Sequence, residues 1–98
     1  MAEYIAKPTQ QDVERIVRRE FPPEVVGEVF QALRSIRGNA LAARIQAVCL
    51  RISQRYVATL KKELAESDRS LFHILRTEAS WDRQQYEAWL YHSGKGHE

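Results

Sequence analysis

The sequence predicts an all-α fold: a compact bundle of four helices, or five if the last is interrupted, around a long central helix at residues 40–66. Three observations predict it. From Asn39 to Leu64 there is neither proline nor glycine, and apolar side chains fall at Leu41, Ile45, Val48, Cys49, Ile52, Tyr56, Leu60 and Leu64. Their spacing of three and four lays them along one stripe of a 3.6-residue repeat, and alternation of period two fits nowhere in the stretch. Shorter amphipathic segments flank it on both sides, and they are needed, because a helix in water gains most of its stability from neighbours that cover its apolar face.

Taken in order, residues 1–8 form an irregular arm carrying Tyr4 and Ile5 ahead of Pro8. Thr9 is a natural N-cap, and Asp12 places a carboxylate in the first turn, where the helix macrodipole favours it. The first helix spans Gln10–Glu20, with Val13, Ile16, Val17 and Phe21 on one face. Phe21-Pro22-Pro23-Glu24 then ends it, since proline bars helix on its N-terminal side and suits the first turn of a new one. The second helix turns Val25, Val26, Val29, Phe30, Leu33 and Ile36 inward, and Gly27 inside it costs about 1 kcal/mol relative to alanine. Arg37-Gly38-Asn39 reads as a left-handed cap and turn.

The central helix follows. Leu50 and Val57 lie off its main stripe, so more than one neighbour packs on it, and their exposure would favour a homodimer through this helix over a monomer. Ser67-Asp68-Arg69-Ser70 is the next break, with Ser67 or Asp68 as cap of the last element at residues 69–92. That element keeps helical spacing through Leu71, Phe72, Ile74, Leu75, Ala79, Tyr86, Trp89 and Leu90. Its apolar face weakens at Ser80-Trp81-Asp82, where a kink or a second start capped by Ser80 fits. Residues 93–98 read as a flexible polar tail.

With 98 residues the chain has room for one core, and 44% apolar with 29% charged residues excludes wholesale disorder. The formal net charge of +2 is too small to imply a nucleic-acid or membrane partner. A single cysteine, Cys49, rules out an intrachain disulfide and a cysteine cluster for zinc, and on the apolar stripe it acts as a small hydrophobe. The N-terminus lacks a basic start with an apolar run, and every apolar run is shorter than a membrane span requires, so the expected location is cytoplasmic.

Charge distribution is the most informative functional feature. Between Glu28 and Glu63 there is no acidic residue, while Arg34, Arg37, Arg44, Arg51, Arg55, Lys61 and Lys62 are basic. On a continuous helix Arg44, Arg51, Arg55 and Lys62 point within about 40° of one another, a basic ridge beside the apolar stripe. Such a ridge would dock an acidic partner protein or, as the alternative, a nucleic-acid backbone. The competing reading is a solvated flank whose arginines pair with Glu14, Glu20, Glu28, Glu78 or Glu87 on neighbouring helices. Sequence-specific DNA reading is disfavoured, because the start of the central helix, Ala40-Leu41-Ala42-Ala43, has nothing to read bases with.

The second cluster is aromatic. Tyr86 and Trp89 share a face with Leu90 and read as core anchors; Trp81 and Tyr91 read as exposed contacts for a partner. His73, His92 and His97 are too scattered for a metal site, no carboxylate pair sits in an apolar setting, and Gly94-Lys95-Gly96 lacks the strand and helix of a phosphate loop. No catalytic residue, metal or cofactor is expected.

Several of these stretches resemble a group of small uncharacterised bacterial helical proteins. The matching residues are Phe21-Pro22-Pro23-Glu24 at a helix entry, Arg44-Ile45-Gln46 at the start of a longer helix, and Asp82 with Ala88-Trp89 in a last segment of the type Asp-Tyr-Arg-Asp-x-Leu-Ala-Trp. Arg83-Gln84-Gln85 and Leu90-Tyr91-His92 depart from that pattern. The resemblance implies a helical fold and a bacterial cytoplasmic origin, brings no established activity, and points to a structural contact for Asp82 and Trp89. The expected function is therefore a non-catalytic interaction protein; an immunity or antitoxin-like role, by analogy of size alone, is a second alternative.

Overall fold

The structure is a computed structural model that describes residues 7–36 and 41–91. The described residues form six helices and no strand: α1 (Gln10–Glu20), α2 (Pro23–Leu33), α3 (Ala42–Ser53), α4 (Val57–Arg69), α5 (Leu71–Ala79) and α6 (Arg83–Tyr91). The all-α class is as expected, but the count differs from four or five because both long predicted helices are divided. Residues 1–6 of the N-terminal arm with Tyr4 and Ile5, the Arg37-Gly38-Asn39 turn and the C-terminal tail with His92 and His97 lie outside the described residues.

Helix α1 starts as its sequence dictates. The Thr9 hydroxyl accepts from the Asp12 backbone N–H at 3.2 Å, and the Asp12 carboxylate accepts from the Thr9 backbone N–H at 2.8 Å, a reciprocal capping box. Pro23 opens α2 in its first turn. Among the described residues a Cβ added at Gly27 would meet nothing within 4 Å, so none of the described helices approaches closely there and the glycine is tolerated. Each helix contributes a fully buried side chain to one shared core: Ile16, Val29, Val48, Leu60, Ile74 and Leu90. Burying each contributes about 1.5–3 kcal/mol.

Helix α3 holds the central place predicted for the longer rod. Ile45, Gln46, Ala47, Val48, Cys49 and Leu50 are all buried in succession, so it is covered on every side. Gln46 is the polar exception, and the structure explains it. Its amide donates to the Leu33 and Ile36 carbonyls at 3.0 and 2.7 Å and accepts from Gln10 at 3.0 Å. It thereby bonds the Ile36 carbonyl beyond the end of α2 and adds a second donor to the Leu33 carbonyl, which also accepts from the Ile36 N–H.

The continuous central helix is the main correction. After Ser53 the chain turns through Gln54 (φ 51°, ψ 41°) and Arg55 (φ 75°), both left-handed without being glycine, and restarts at Val57. Left-handed backbone costs an L-residue roughly 1–2 kcal/mol. Nothing in the local sequence asks for it; the gain is tertiary. A straight rod would carry Leu60 and Leu64 away from the domain, whereas the turn brings α4 against both α3 and α2, where these leucines are 0% and 3% exposed. Burial of two leucines at about 1.5–3 kcal/mol each offsets two strained residues.

The last predicted helix breaks where its apolar face weakens. Ser80 ends α5, and Asp82 caps α6 by accepting from the Gln85 backbone N–H at 2.9 Å. Ser80 is therefore not the cap of the second start. Nor do Ser67 or Asp68 cap α5: Ser67 is buried inside α4 with its hydroxyl donating to the Leu64 carbonyl at 2.7 Å, and Ser70 takes the cap position.

Candidate functional site

The turn at Gln54–Tyr56 dismantles the basic ridge, because Arg44 and Arg51 stay on α3, Lys62 moves to α4 and Arg55 sits in the turn. Each cation then meets a different environment.

Arg44 is taken by Glu78. Its Nη2 lies 2.6 Å from Glu78 Oε1, and its Nε lies 3.1 Å from both carboxylate oxygens. The pair ties the start of α3 to the end of α5, and the hydrogen bonds that Arg44 donates to Glu78 hold its guanidinium above its usual range. Arg55 reaches Glu20 at 2.7 Å, and the same carboxylate receives Arg19 Nε at 2.7 Å. Burial pushes the Glu20 carboxyl up, but hydrogen bonds from Arg55 and Arg19 outweigh it and hold the group below its ordinary range. Glu20 and Glu78 are two of the five carboxylates expected to compete for the ridge, and they win.

Among the described residues Arg51 has no carboxylate within ion-pair distance. Its guanidinium lies 4.6 Å above the Trp81 ring centroid, 5.4 Å from Tyr86 and 5.9 Å from Trp89. The rings also pack on one another, Trp81 tilted against Tyr86 at 5.0 Å and Tyr86 stacked with Trp89 at 6.2 Å. Burial lowers the Arg51 pKa, partly offset by Tyr86 and Asp82. Cation–π attraction, strongest where water is excluded, substitutes for an ion pair. Arg51 Nη1 and the Tyr86 hydroxyl are nonetheless buried without a hydrogen-bond partner among the described residues. Arg19 also covers Trp89, at 5.0 Å. Arg19 and Arg15 each donate at 2.7 Å to the Trp89 and Leu90 carbonyls, placing two cations at the negative end of α6. Trp81 is thus half-buried against the core instead of exposed, while Tyr91 is 44% exposed as expected and Tyr86 is buried.

Of the six predicted contact residues, Arg44, Arg51 and Trp81 make contacts within the molecule that join α3 to α5, to α6 and to the connection between them. Arg55 is exposed but engaged with Glu20. Lys62 is exposed and makes no ion pair among the described residues.

The structure adds two surface features. Leu71 and Phe72, in the first turn of α5, are 38% and 71% exposed, and the Arg76 guanidinium lies 6.0 Å above the Phe72 ring. Both side chains were placed on the buried face by helical spacing, and only Ile74 of that turn is fully buried. A shallow groove of about 350 Å³ runs between α2 and α4, lined by Ala32, Ser35, Lys61, Leu64, Ala65 and Asp68. Of these, Lys61 pairs with Glu28 at 2.6 Å.

Cys49 is fully buried and burial pushes its thiol up to about 12, so it carries no thiolate at neutral pH. Among the described residues no three His, Cys, Asp or Glu side chains are grouped so that they could hold a metal ion. No described helix is long and apolar enough to cross a membrane. Compared with protein-family models, with curated proteins and with solved structures, the chain matches none.

Proposed function

We propose that the chain is a non-catalytic interaction protein that docks an acidic protein surface through the first turns of α5. The observation that carries this reading is Phe72, 71% exposed beneath an Arg76 that makes no ion pair among the described residues. An exposed ring is ordinary by itself; an exposed ring beside Leu71 with a guanidinium over it offers an apolar contact and a cation together. A partner presenting an apolar side chain flanked by a carboxylate fits both. The docking reading thus moves from the α3 arginines, which are engaged within the molecule, to α5.

The test is capture of partners from the source cell with the wild-type chain and with Phe72→Ala and Arg76→Glu, each verified as folded by circular dichroism. A protein retained by the wild type and lost by both variants, with retention weakening as salt rises, supports the reading. Equal capture by all three sinks it. Generic duplex or single-stranded nucleic acid run in parallel at low salt covers the backbone-binding alternative, which requires binding that falls steeply with salt.

A further inference from the structure

We propose that two copies of this chain exchange their α4–α6 segments, with α3 and α4 fusing into one continuous helix from Ala42 to Arg69 in each copy. Four independent observations meet at the turn. The sequence across it, Ser53-Gln54-Arg55-Tyr56-Val57, contains no helix breaker, and its period runs unbroken from Leu41 to Leu64. The turn is nevertheless made by two consecutive left-handed residues, neither of them glycine. Helix α4 begins at Tyr56 without a side-chain cap, so its first N–H groups lack the partners that α1 and α5 possess. Finally Tyr56, which belongs to the apolar stripe, is left 67% exposed by the turn.

Opening the turn answers all four. Gln54 and Arg55 enter right-handed helix, and the amides at the start of α4 find the carbonyls at the end of α3. Tyr56 returns to the stripe, facing the same residue of the second copy where the two fused helices cross. Contacts of the moving half with the stationary half are not lost, because α4 on α2 and α3, α5 on α3 and α6 on α1 re-form between copies. A short strained hinge with a large retained interface is the arrangement that favours such exchange. The ties specific to the closed turn are modest: the exposed Arg55–Glu20 pair, the long Gln54 N–H to Arg51 carbonyl bond at 3.4 Å and the Tyr56 N–H to Ser53 carbonyl bond at 3.0 Å.

The Lys61–Glu28 pair, 2.6 Å long and joining α4 to α2, reports the exchange directly. Full-length chain is refolded from urea at millimolar and at micromolar concentration, as an equal mixture of unlabelled and nitrogen-15-labelled protein. Monomer and dimer are separated by size, coupled with a zero-length carbodiimide, and digested for mass spectrometry. A dimer fraction that rises with refolding concentration is expected, its Glu28–Lys61 linkage joining labelled to unlabelled peptide. Gln54→Gly with Arg55→Gly, which relaxes the turn and weakens the fused helix, is expected to lower the dimer fraction by at least about tenfold. Gln54→Ala with Arg55→Ala, which favours the helix and removes the Glu20 tie, is expected to raise it. A monomer under every condition in both wild type and the alanine variant overturns the proposal. So does a dimer in which the Glu28–Lys61 linkage stays within one chain.

Discussion

Helices α3 and α4 carry one unbroken apolar repeat, yet they occupy different environments. Helix α3 is surrounded, with buried side chains all around its axis, whereas α4 buries only Leu60, Leu64 and Ser67 and turns Lys61, Lys62 and Ala65 to solvent. The two residues off the main stripe show the contrast most plainly: Leu50 on α3 is 2% exposed, and Val57 on α4 is only half-buried. Covered on that side, Leu50 offers no apolar face for a homodimer through α3. Periodicity therefore sets which residues share a face, while the number of neighbours sets how many faces are buried.

The widest gap is expected between Leu50→Ala and Val57→Ala. Leu50→Ala should cost about 2–5 kcal/mol by urea unfolding, as for any enclosed leucine, and Val57→Ala under about 1 kcal/mol. Equal losses would mean that α4 is covered as fully as α3. Next come the cations. Arg44→Ala strands the mostly buried Glu78 carboxylate and should cost about 2 kcal/mol, detectable as a lower melting temperature. Two changes of backbone preference follow, both stabilising for opposite reasons. Gln54→Gly relieves left-handed strain at the α3–α4 turn and should add about 1 kcal/mol, and Gly27→Ala, in open space on α2, should add about 0.5–1 kcal/mol. A loss in the first would show that the turn is unstrained.

The smallest effect is at Arg55, whose side chain is 70% exposed; Arg55→Ala should change stability by less than about 0.5 kcal/mol. Its partner Glu20 gives the pair a pH signature. A carboxyl held below its unfolded value contributes stability that is complete above the ordinary value of 4.5 and is lost as pH falls through its lowered folded value. Glu20→Gln should flatten that acid limb of the stability profile; an unchanged limb would place the acid sensitivity elsewhere, with the similarly lowered Asp12 the next group to substitute.

Much of the local structure was legible. Thr9 and Asp12 define the start of α1 to the residue, Pro22-Pro23 separates α1 from α2, and the weak apolar face at Ser80–Asp82 marks the α5–α6 break. Each is a short-range rule in which the residue itself supplies the cap or removes the hydrogen bond. The arginine cage was less legible. Tyr86 and Trp89 read correctly as anchors, but nothing within four residues of Arg51 reveals that α6 will lay two rings against it and the α5–α6 connection a third. Gln46 carried a weak signal, an amide amid apolar neighbours, which fits a buried group with fixed partners.

By itself the sequence determined the helical class, the apolar stripe, the caps and the set of carboxylates able to meet the basic residues, because these follow from side-chain chemistry within a turn or two of the chain. Only tertiary structure decided that the central rod bends at Gln54, that Arg44 and Arg55 are consumed by Glu78 and Glu20, and that Phe72 stays outside. Those outcomes depend on which surfaces compete for burial across the whole domain. There the enclosure of Leu60 and Leu64 outweighs a local preference to remain straight.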